Sequence, residues 1–451
     1  MSRRESVPSL AEKVVFFLSA LLLLLVPLHV LVLSPPQVML ILECIAVLLL
    51  LIIFWSGLYQ GKTHTVLLWF VFLSLLLAVA YVVPLTFLPT FDMPGRDLYR
   101  AVGQWLGSQG VEVSYSQLSL IPYVSVVALL ALLPPLAMFF AGFSLPESQI
   151  RTLIYLLLVI AGLQAALGLV QYASGNPDFY FGVTPNGRSA QGTYINRDHF
   201  AALLEMTLPI AIGMMLYSVG RSQLDRNYDD KGWVVNQTLL FAFLAIFIFL
   251  AAVFTRSRMG VFLIMLAVLF SSFVFARHVG GRQSTGLTVI FSTVAIGLAT
   301  SIGLIPVLNR FVAANPIEDE RFRIFQHAFE GIRAFFPFGS GPGTFPDVYR
   351  AFQPIEQLRF INNAHSDYVE LLFEMGLAGA FIIVGFMLLY VFGWFKLNNK
   401  SWGRMRFLQV GAGLGILMLL LHCSMDFILH EPMNSMVFAL LVGVFFRKSV
   451  R

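Results

Sequence analysis

Long apolar runs broken by short polar joints set the pattern of this chain from end to end. A run of about 18 or more residues with few charges is long enough to cross a bilayer as a helix. Such runs predict about twelve spans, near residues 13–33, 37–58, 64–88, 119–143, 152–174, 199–218, 237–254, 260–276, 286–307, 366–395, 406–424 and 433–447. A membrane β-barrel would alternate apolar and polar positions over roughly ten-residue segments, and the sequence does not. The Pro134-Pro135 pair predicts a kink in the fourth span, because proline removes a helical hydrogen bond and crowds the preceding turn. Ser2-Arg3-Arg4 ahead of the apolar run Val14–Leu33 has the look of a signal peptide. That run is long, however, and ends at Ser34-Pro35-Pro36 without a small-x-small site, so a transmembrane helix is expected. The fold class is thus an all-α polytopic membrane protein with about twelve transmembrane helices. A single transmembrane domain covers 1–451, with one large extracytoplasmic loop at 308–365.

That loop has its own periodicity. Phe322, Phe325, Phe329, Ile332 and Phe336 recur at helical spacing and predict an amphipathic helix over Glu320–Phe336, with Arg321, Arg323 and Arg333 on other faces. Such a helix is expected to lie on the outer leaflet, phenylalanines in the lipid and arginines at phosphate level. The following Phe338-Gly-Ser-Gly-Pro-Gly-Thr-Phe345 superficially resembles a phosphate-binding loop. No strand precedes it and no Gly-Lys-Ser/Thr closes it, so a tight turn back to the membrane is expected.

Composition agrees with the pattern: 58% of the 451 residues are hydrophobic and 12% charged, with a mean hydropathy of +0.81. In a membrane protein the net charge of +5 does not signal nucleic acid; the placement of the basic residues matters more. With both termini cytoplasmic, the inner side holds the majority of the 29 basic residues, as the positive-inside tendency requires. Every lysine then falls inside, and every outer basic residue is an arginine. Arginine presents a planar fork suited to phosphate, lysine a point charge, so the bias suggests an outer site for a phosphorylated substrate. Cys44 and Cys423 both lie in apolar runs and suggest neither a disulfide framework nor a metal site.

Five groups on the outer side can carry chemistry. Arg188 and Arg197 flank a polar run that leads into the sixth span, where Asn196 or Asp198 can cap the helix. Arg256 and Arg258 sit in a short turn between two apolar spans, where ionisable residues call for a functional reading. Arg321 and Arg323 lie on the amphipathic helix. His365 stands where the long loop re-enters the membrane, and a neutral imidazole there can take a proton from a hydroxyl. Asp367, Glu370 and Glu374 follow on one helical face, placed to orient His365 or to pair with arginines. Asp426, between the last two spans, calls for an arginine partner. Asp198, His199, His327 and His365 are conceivable metal ligands, but their spacing is nonspecific; neither metal nor cofactor is expected.

Taken in order, Arg188…Gly192-Thr-Tyr…Asn196…Phe200-Ala201, Ser257-Arg258-x-Gly260, Arg321, Gly339-x-Gly341-x-Gly343-x-Phe345, Ala364-His365-Ser-Asp-Tyr…Glu370…Gly376-x-x-Gly379 and Asp426-Phe427…Pro432-x-Asn434 resemble the bacterial O-antigen ligase and polymerase superfamily over about residues 150–440. The order and spacing carry the resemblance; no single motif does. Asp198 and Phe325 depart from the residues relatives often have, Asn and Trp. The resemblance implies a metal-independent inverting glycosyltransferase of the bacterial inner membrane whose active site faces the periplasm. Its donor would be an undecaprenyl diphosphate-linked glycan and its acceptor lipid A-core (a ligase) or another lipid-linked repeat (a polymerase); related enzymes glycosylate protein. By match, Arg258 and Arg321 would hold the diphosphate and His365 would activate the acceptor hydroxyl, with Arg188, Arg197, Arg256 and Arg323 adding positive charge. A transporter is the rival class, but neither repeat symmetry nor broken midplane helices are visible. A non-catalytic scaffold would leave the outer arginine bias without a purpose.

Overall fold

The structure is a computed structural model that describes residues 8–28, 35–85, 93–111, 116–180, 188–224, 231–276, 316–397 and 402–448, together with 293 and 297. Helices make up its regular structure, and no strand occurs among the described residues. In chain order these are α1 (Leu10–Leu25), α2 (Pro35–Ser56), α3 (Thr65–Ala80), α4 (Asp97–Ser108), α5 (Pro122–Leu130), α6 (Leu133–Ser144), α7 (Glu147–Ser174), α8 (Arg197–Leu224), α9 (Lys231–Phe254), α10 (Arg258–Ala276), α11 (Pro316–Phe335), α12 (Asp367–Leu397), α13 (Arg404–His422) and α14 (Pro432–Phe445). Among the described residues, 8 helical stretches are long and apolar enough to cross a membrane, one of them α5 and α6 taken together. The apolar α3 and α14 are shorter. The span expected at 286–307 lies outside the described residues, apart from 293 and 297. The kink expected at Pro134-Pro135 is a break at Ala131-Leu132 between α5 and α6.

Burial ranks the helices. The apolar window of α8 is 94% buried and that of α13 83%, against 22% for α12. The first two form the centre of the bundle, packed on each other, with α9 and α10 against α8 and with α14 joining α13 to α6. Small residues set the closeness of the central pair. Gly411 and Gly415 of α13 are one turn apart, and a Cβ on Gly411 would lie 2.9 Å from Ile210 Cα of α8. Without a hydrophobic drive between helices in lipid, such close backbone packing supplies the association energy.

The Gly-rich loop 338–345 is spliced into a kink of α12. Gly376 has φ 50° and ψ −123° inside the helix, a left-handed backbone glycine adopts without penalty. Three of the backbone groups there bond to the loop. Leu377 N–H donates to Pro337 O (2.9 Å), while Phe373 O and Glu374 O accept from Ser340 N–H (3.1 Å) and Gly341 N–H (2.8 Å). The Glu374 carboxylate accepts the amides of Gly343 (2.8 Å) and Phe345 (2.9 Å). A side-chain carboxyl thus already fills the nest a phosphate-binding loop would offer, as the expected turn requires.

The amphipathic segment is α11. It buries Ile324, Ala328 and Phe335 against α12, whose Phe373 ring meets Phe335 edge-on at 5.6 Å. Phe322, Phe329 and Phe336, on the stripe read from the sequence, face outward. The helix therefore has two apolar stripes, one for the protein and one exposed.

Candidate active site

Hydrogen bonds and ion pairs gather the starts of α8, α11, α12 and α14 and the end of α13. His365 stands two residues before the first residue of α12 and has φ 52°; Arg256, with φ 57°, is the other non-glycine residue in the left-handed region among the described residues. Such a backbone costs about 1–3 kcal/mol and persists where its surroundings hold it. His365 Nδ1 lies 3.2 Å from Asp426 Oδ1. A carboxylate only accepts, so Nδ1 carries the proton, and in the neutral imidazole Nε2 is the nitrogen left with a lone pair. The other side of the imidazole packs on the Phe427 ring, 5.2 Å between centroids.

Asp426 is buried, its side chain 2% exposed, and holds several partners at once. Oδ1 also accepts Phe427 N–H (3.0 Å), and Oδ2 lies 3.7 Å from Arg321 NH2. Burial would raise its pKa, but the hydrogen bond with His365 and the positive charge of Arg321 outweigh this and hold the carboxyl well below the usual carboxylate range. Arg321 also donates to Met425 O (3.0 Å) and lies 4.0 Å from Asp198 Oδ2, tying α11 to both α8 and the 422–431 segment. The arginine partner expected for Asp426 is Arg321.

The carboxylates of α12 have other duties than those expected. Asp367 Oδ2 accepts Ile428 N–H (2.9 Å) and Leu429 N–H (3.3 Å), and its Oδ1 lies 3.3 Å from His430 Nδ1. Glu370 accepts Ala364 N–H (2.8 Å) and Asn363 Nδ2 (3.2 Å), with His430 Nε2 at 3.0 Å. With Glu374 in the glycine loop, the interactions of these three run to backbone amides, Asn363, His430 and, for Asp367, the Cys423 thiol. Helical spacing put them on one face correctly, but tertiary packing turned that face toward the loop and His430, and the carboxylate that meets His365 comes from 61 residues away.

The other arginines divide. Arg188 is exposed and packs over Gly175 at the C-terminal end of α7, where a cation suits the helix dipole; its carbonyl accepts Arg256 NH1 (3.3 Å). Arg258 opens α10, and two residues on Gly260 abuts α8, where a Cβ would lie 2.6 Å from Ala201 Cβ. Ala201 is three residues from Asp198, so the Arg256–Arg258 turn and the Asp426 cluster meet α8 about one turn, ~5 Å, apart. Arg197 opens α8, capped by Asn196 Oδ1 on Asp198 N–H (2.9 Å). Arg323 is two residues past Arg321, hence on the far side of α11, and exposed.

Three further histidines join this site, of which the sequence singles out His199 alone, as a conceivable metal ligand. His199 is buried, 3.8 Å by Nδ1 from Glu431 Oε2, edge-on to Phe427 at 4.8 Å, and its buried Nε2 has no hydrogen-bond partner among the described residues. His422 and Glu205 form an ion pair at 3.1 Å, with side chains 1% and 0% exposed. His430 bridges two carboxylates. Ionisable residues inside or beside apolar runs were the available signal. His327, a conceivable metal ligand by sequence, instead faces Glu330 at 3.3 Å.

The fold and site are those of a polytopic helical membrane protein that gathers a histidine–aspartate pair and several arginines at the ends of its helices. Residues 243–384, under a third of the chain, match the family model described as O-antigen ligase, which supports the resemblance to the O-antigen ligase and polymerase superfamily. That family is one of membrane glycosyltransferase-type enzymes. The matched segment contains Arg256, Arg258, Arg321, Arg323, His365, Asp367, Glu370 and Glu374, and Asp426 lies beyond it. A comparison with curated proteins finds no match.

Proposed function

We propose that the chain is an O-antigen ligase-type inverting glycosyltransferase. It moves a glycan from undecaprenyl diphosphate to an acceptor sugar hydroxyl of lipid A-core, on the periplasmic face of the bacterial inner membrane. The observation that carries this reading is the His365–Asp426 hydrogen bond, made beside Arg321. Asp426 accepts a hydrogen bond from Nδ1–H and orients the imidazole, leaving Nε2 as general base. The acceptor oxygen attacks the anomeric carbon from the face opposite the diphosphate. Its proton passes to Nε2 while the bond between the anomeric carbon and the phosphate oxygen breaks, which inverts the centre. Negative charge then gathers on the departing diphosphate. Arg258, with Arg188, Arg197, Arg256 and Arg321, answers that charge, and the N-terminal ends of α8, α10, α12 and α14 add positive dipole ends on the same side. Guanidinium groups of this number stand in for a divalent ion, so the reaction is metal-independent.

The test is reconstitution of the purified protein with an undecaprenyl diphosphate-linked glycan, offered lipid A-core or a second lipid-linked repeat, with and without EDTA. Transfer to lipid A-core that survives EDTA is the expected result. Transfer only to the second repeat would make the chain a polymerase. Activity lost in EDTA and restored by Mg²⁺ or Mn²⁺ would overturn the metal-independent step.

A further inference from the structure

Asp426 lies midway along the 422–431 segment that joins α13 to α14, four residues from a histidine on either side. Each histidine is held by carboxylates of a different helix. On one side His422 Nδ1 is 3.1 Å from Glu205 Oε2 of α8. The backbone carbonyl of His422 accepts Met425 N–H (2.9 Å) and Asp426 N–H (3.2 Å), so the placement of His422 passes directly into the turn that carries Asp426. On the other side His430 reaches Asp367 by Nδ1 (3.3 Å) and Glu370 by Nε2 (3.0 Å), both on α12. Carboxylate oxygens only accept, so an imidazole engaged at both nitrogens donates twice and is a cation.

Glu370 makes this arrangement specific to the proton-accepting pair. One of its oxygens meets His430, on the segment that carries Asp426. The other accepts the amide of Ala364, the residue before His365 (2.8 Å). A single buried side chain thus references both partners of the 3.2 Å hydrogen bond to each other. Asp367 reinforces it by holding the amides of Ile428 and Leu429.

We propose that His430, anchored on Glu370 and Asp367, is a positioning residue for the His365–Asp426 pair, and that the His422–Glu205 ion pair pins the opposite end of the same segment. The inference rests on the glycosyl-transfer reading of the site. His430 acts only through Asp426: its loss lets the carboxylate drift, and a misplacement of about 1 Å in such a constellation costs on the order of 10²-fold in rate.

The experiment compares His430→Gln, His430→Arg, Asp426→Asn and the His430→Gln/Asp426→Asn double variant as purified full-length proteins. Glutamine brings no charge and reaches one carboxylate, whereas arginine brings a charge and a fork able to span both. His430→Gln is expected to lower kcat by about 10- to 100-fold at unchanged donor KM, and His430→Arg to recover much of the loss. In the Asp426→Asn background His430→Gln should add little, because two residues acting through one contact are not additive. A readout independent of turnover is carbethoxylation of His365 by diethyl pyrocarbonate, followed by mass spectrometry of its peptide. With Nδ1 no longer engaged, His365 should react faster in His430→Gln. Unchanged kcat, the same cost in both backgrounds, or unchanged His365 reactivity in folded His430→Gln would overturn the proposal. Should that variant fail to fold, Glu205→Gln, which keeps a hydrogen-bond partner for His422, decides from the opposite end: faster His365 modification supports the proposal and an unchanged rate overturns it. If the wild type transfers glycan from no lipid-linked donor, the transfer reading fails while the modification rates still judge the positioning.

Discussion

His365 and Asp426 illustrate what a single residue can and cannot announce. Each was conspicuous alone, a histidine at the mouth of an apolar run and an acid at the membrane boundary. Their partnership was not legible, since Asp367 and Glu370 stand closer in sequence and share the helix. Packing of α13 and α14 against α12 decided it, and one-dimensional spacing carries no information about such packing. His430 was passed over because its neighbours Leu429 and Glu431 gave no hint that two buried acids from another helix would meet it. Its titration makes a prediction. Partial desolvation lowers its pKa, with 44% of the side chain still exposed, but the charges of Glu370 and Asp367 and the hydrogen bonds to them outweigh this and raise it well above the usual histidine value. A histidine raised in the folded state contributes stability that is fully present below its unfolded pKa, about 6.5, and lost as pH rises through the folded value. The difference in Tm between wild type and His430→Gln should therefore be largest near pH 6 and shrink as the pH is raised into the alkaline range. Thermal melts of the two proteins in the same detergent check this; a difference that grows with pH contradicts it.

At the scale of elements, the helices themselves were largely readable. Apolar runs of membrane length mark α2, α7 to α10, α12 and α13, and Pro134-Pro135 marks the break between α5 and α6. The glycine loop was foreseen as a turn, but its docking into α12 was not. Gly376 reads in sequence as an ordinary residue of a helix, and its left-handed backbone follows only from the carbonyls and amide that loop 337–341 consumes. A methyl group at Gly376 would collide with Pro337 O, and a non-glycine residue there also carries the strain of a positive φ. Gly376→Ala should thus destabilise the protein by about 1–3 kcal/mol from backbone strain alone, with the collision adding to it. A lowered Tm with activity lost in parallel is expected, and an unchanged Tm would mean that the kink is not built as described. The stripe of Phe322, Phe329 and Phe336 teaches the converse lesson: periodicity showed an amphipathic α11, while the second stripe, Ile324, Ala328 and Phe335, was hidden by the arginines and polar residues between.

For the whole molecule, the assembly of four helix N-termini, a histidine–aspartate pair and several arginines on one side has meaning only if that side faces the compartment of the substrate. The lysine and arginine pattern predicts that both termini are cytoplasmic and that 308–365 is extracytoplasmic. Ile355, 91% exposed, is a suitable reporter: Ile355→Cys in a cysteine-free background should label with an impermeant maleimide in intact spheroplasts. Protection until the cells are opened would invert the topology. Catalysis by His365 is the central claim, and turnover of purified His365→Gln on an undecaprenyl diphosphate-linked glycan tests it most directly. Glutamine keeps a hydrogen bond to Asp426 but takes no proton near neutral pH, and loss of a positioned base costs about 10²–10⁴ in rate. A folded His365→Gln protein that binds donor normally and transfers glycan at least about 10²-fold more slowly is the predicted result; near-normal transfer by the same folded protein would contradict it.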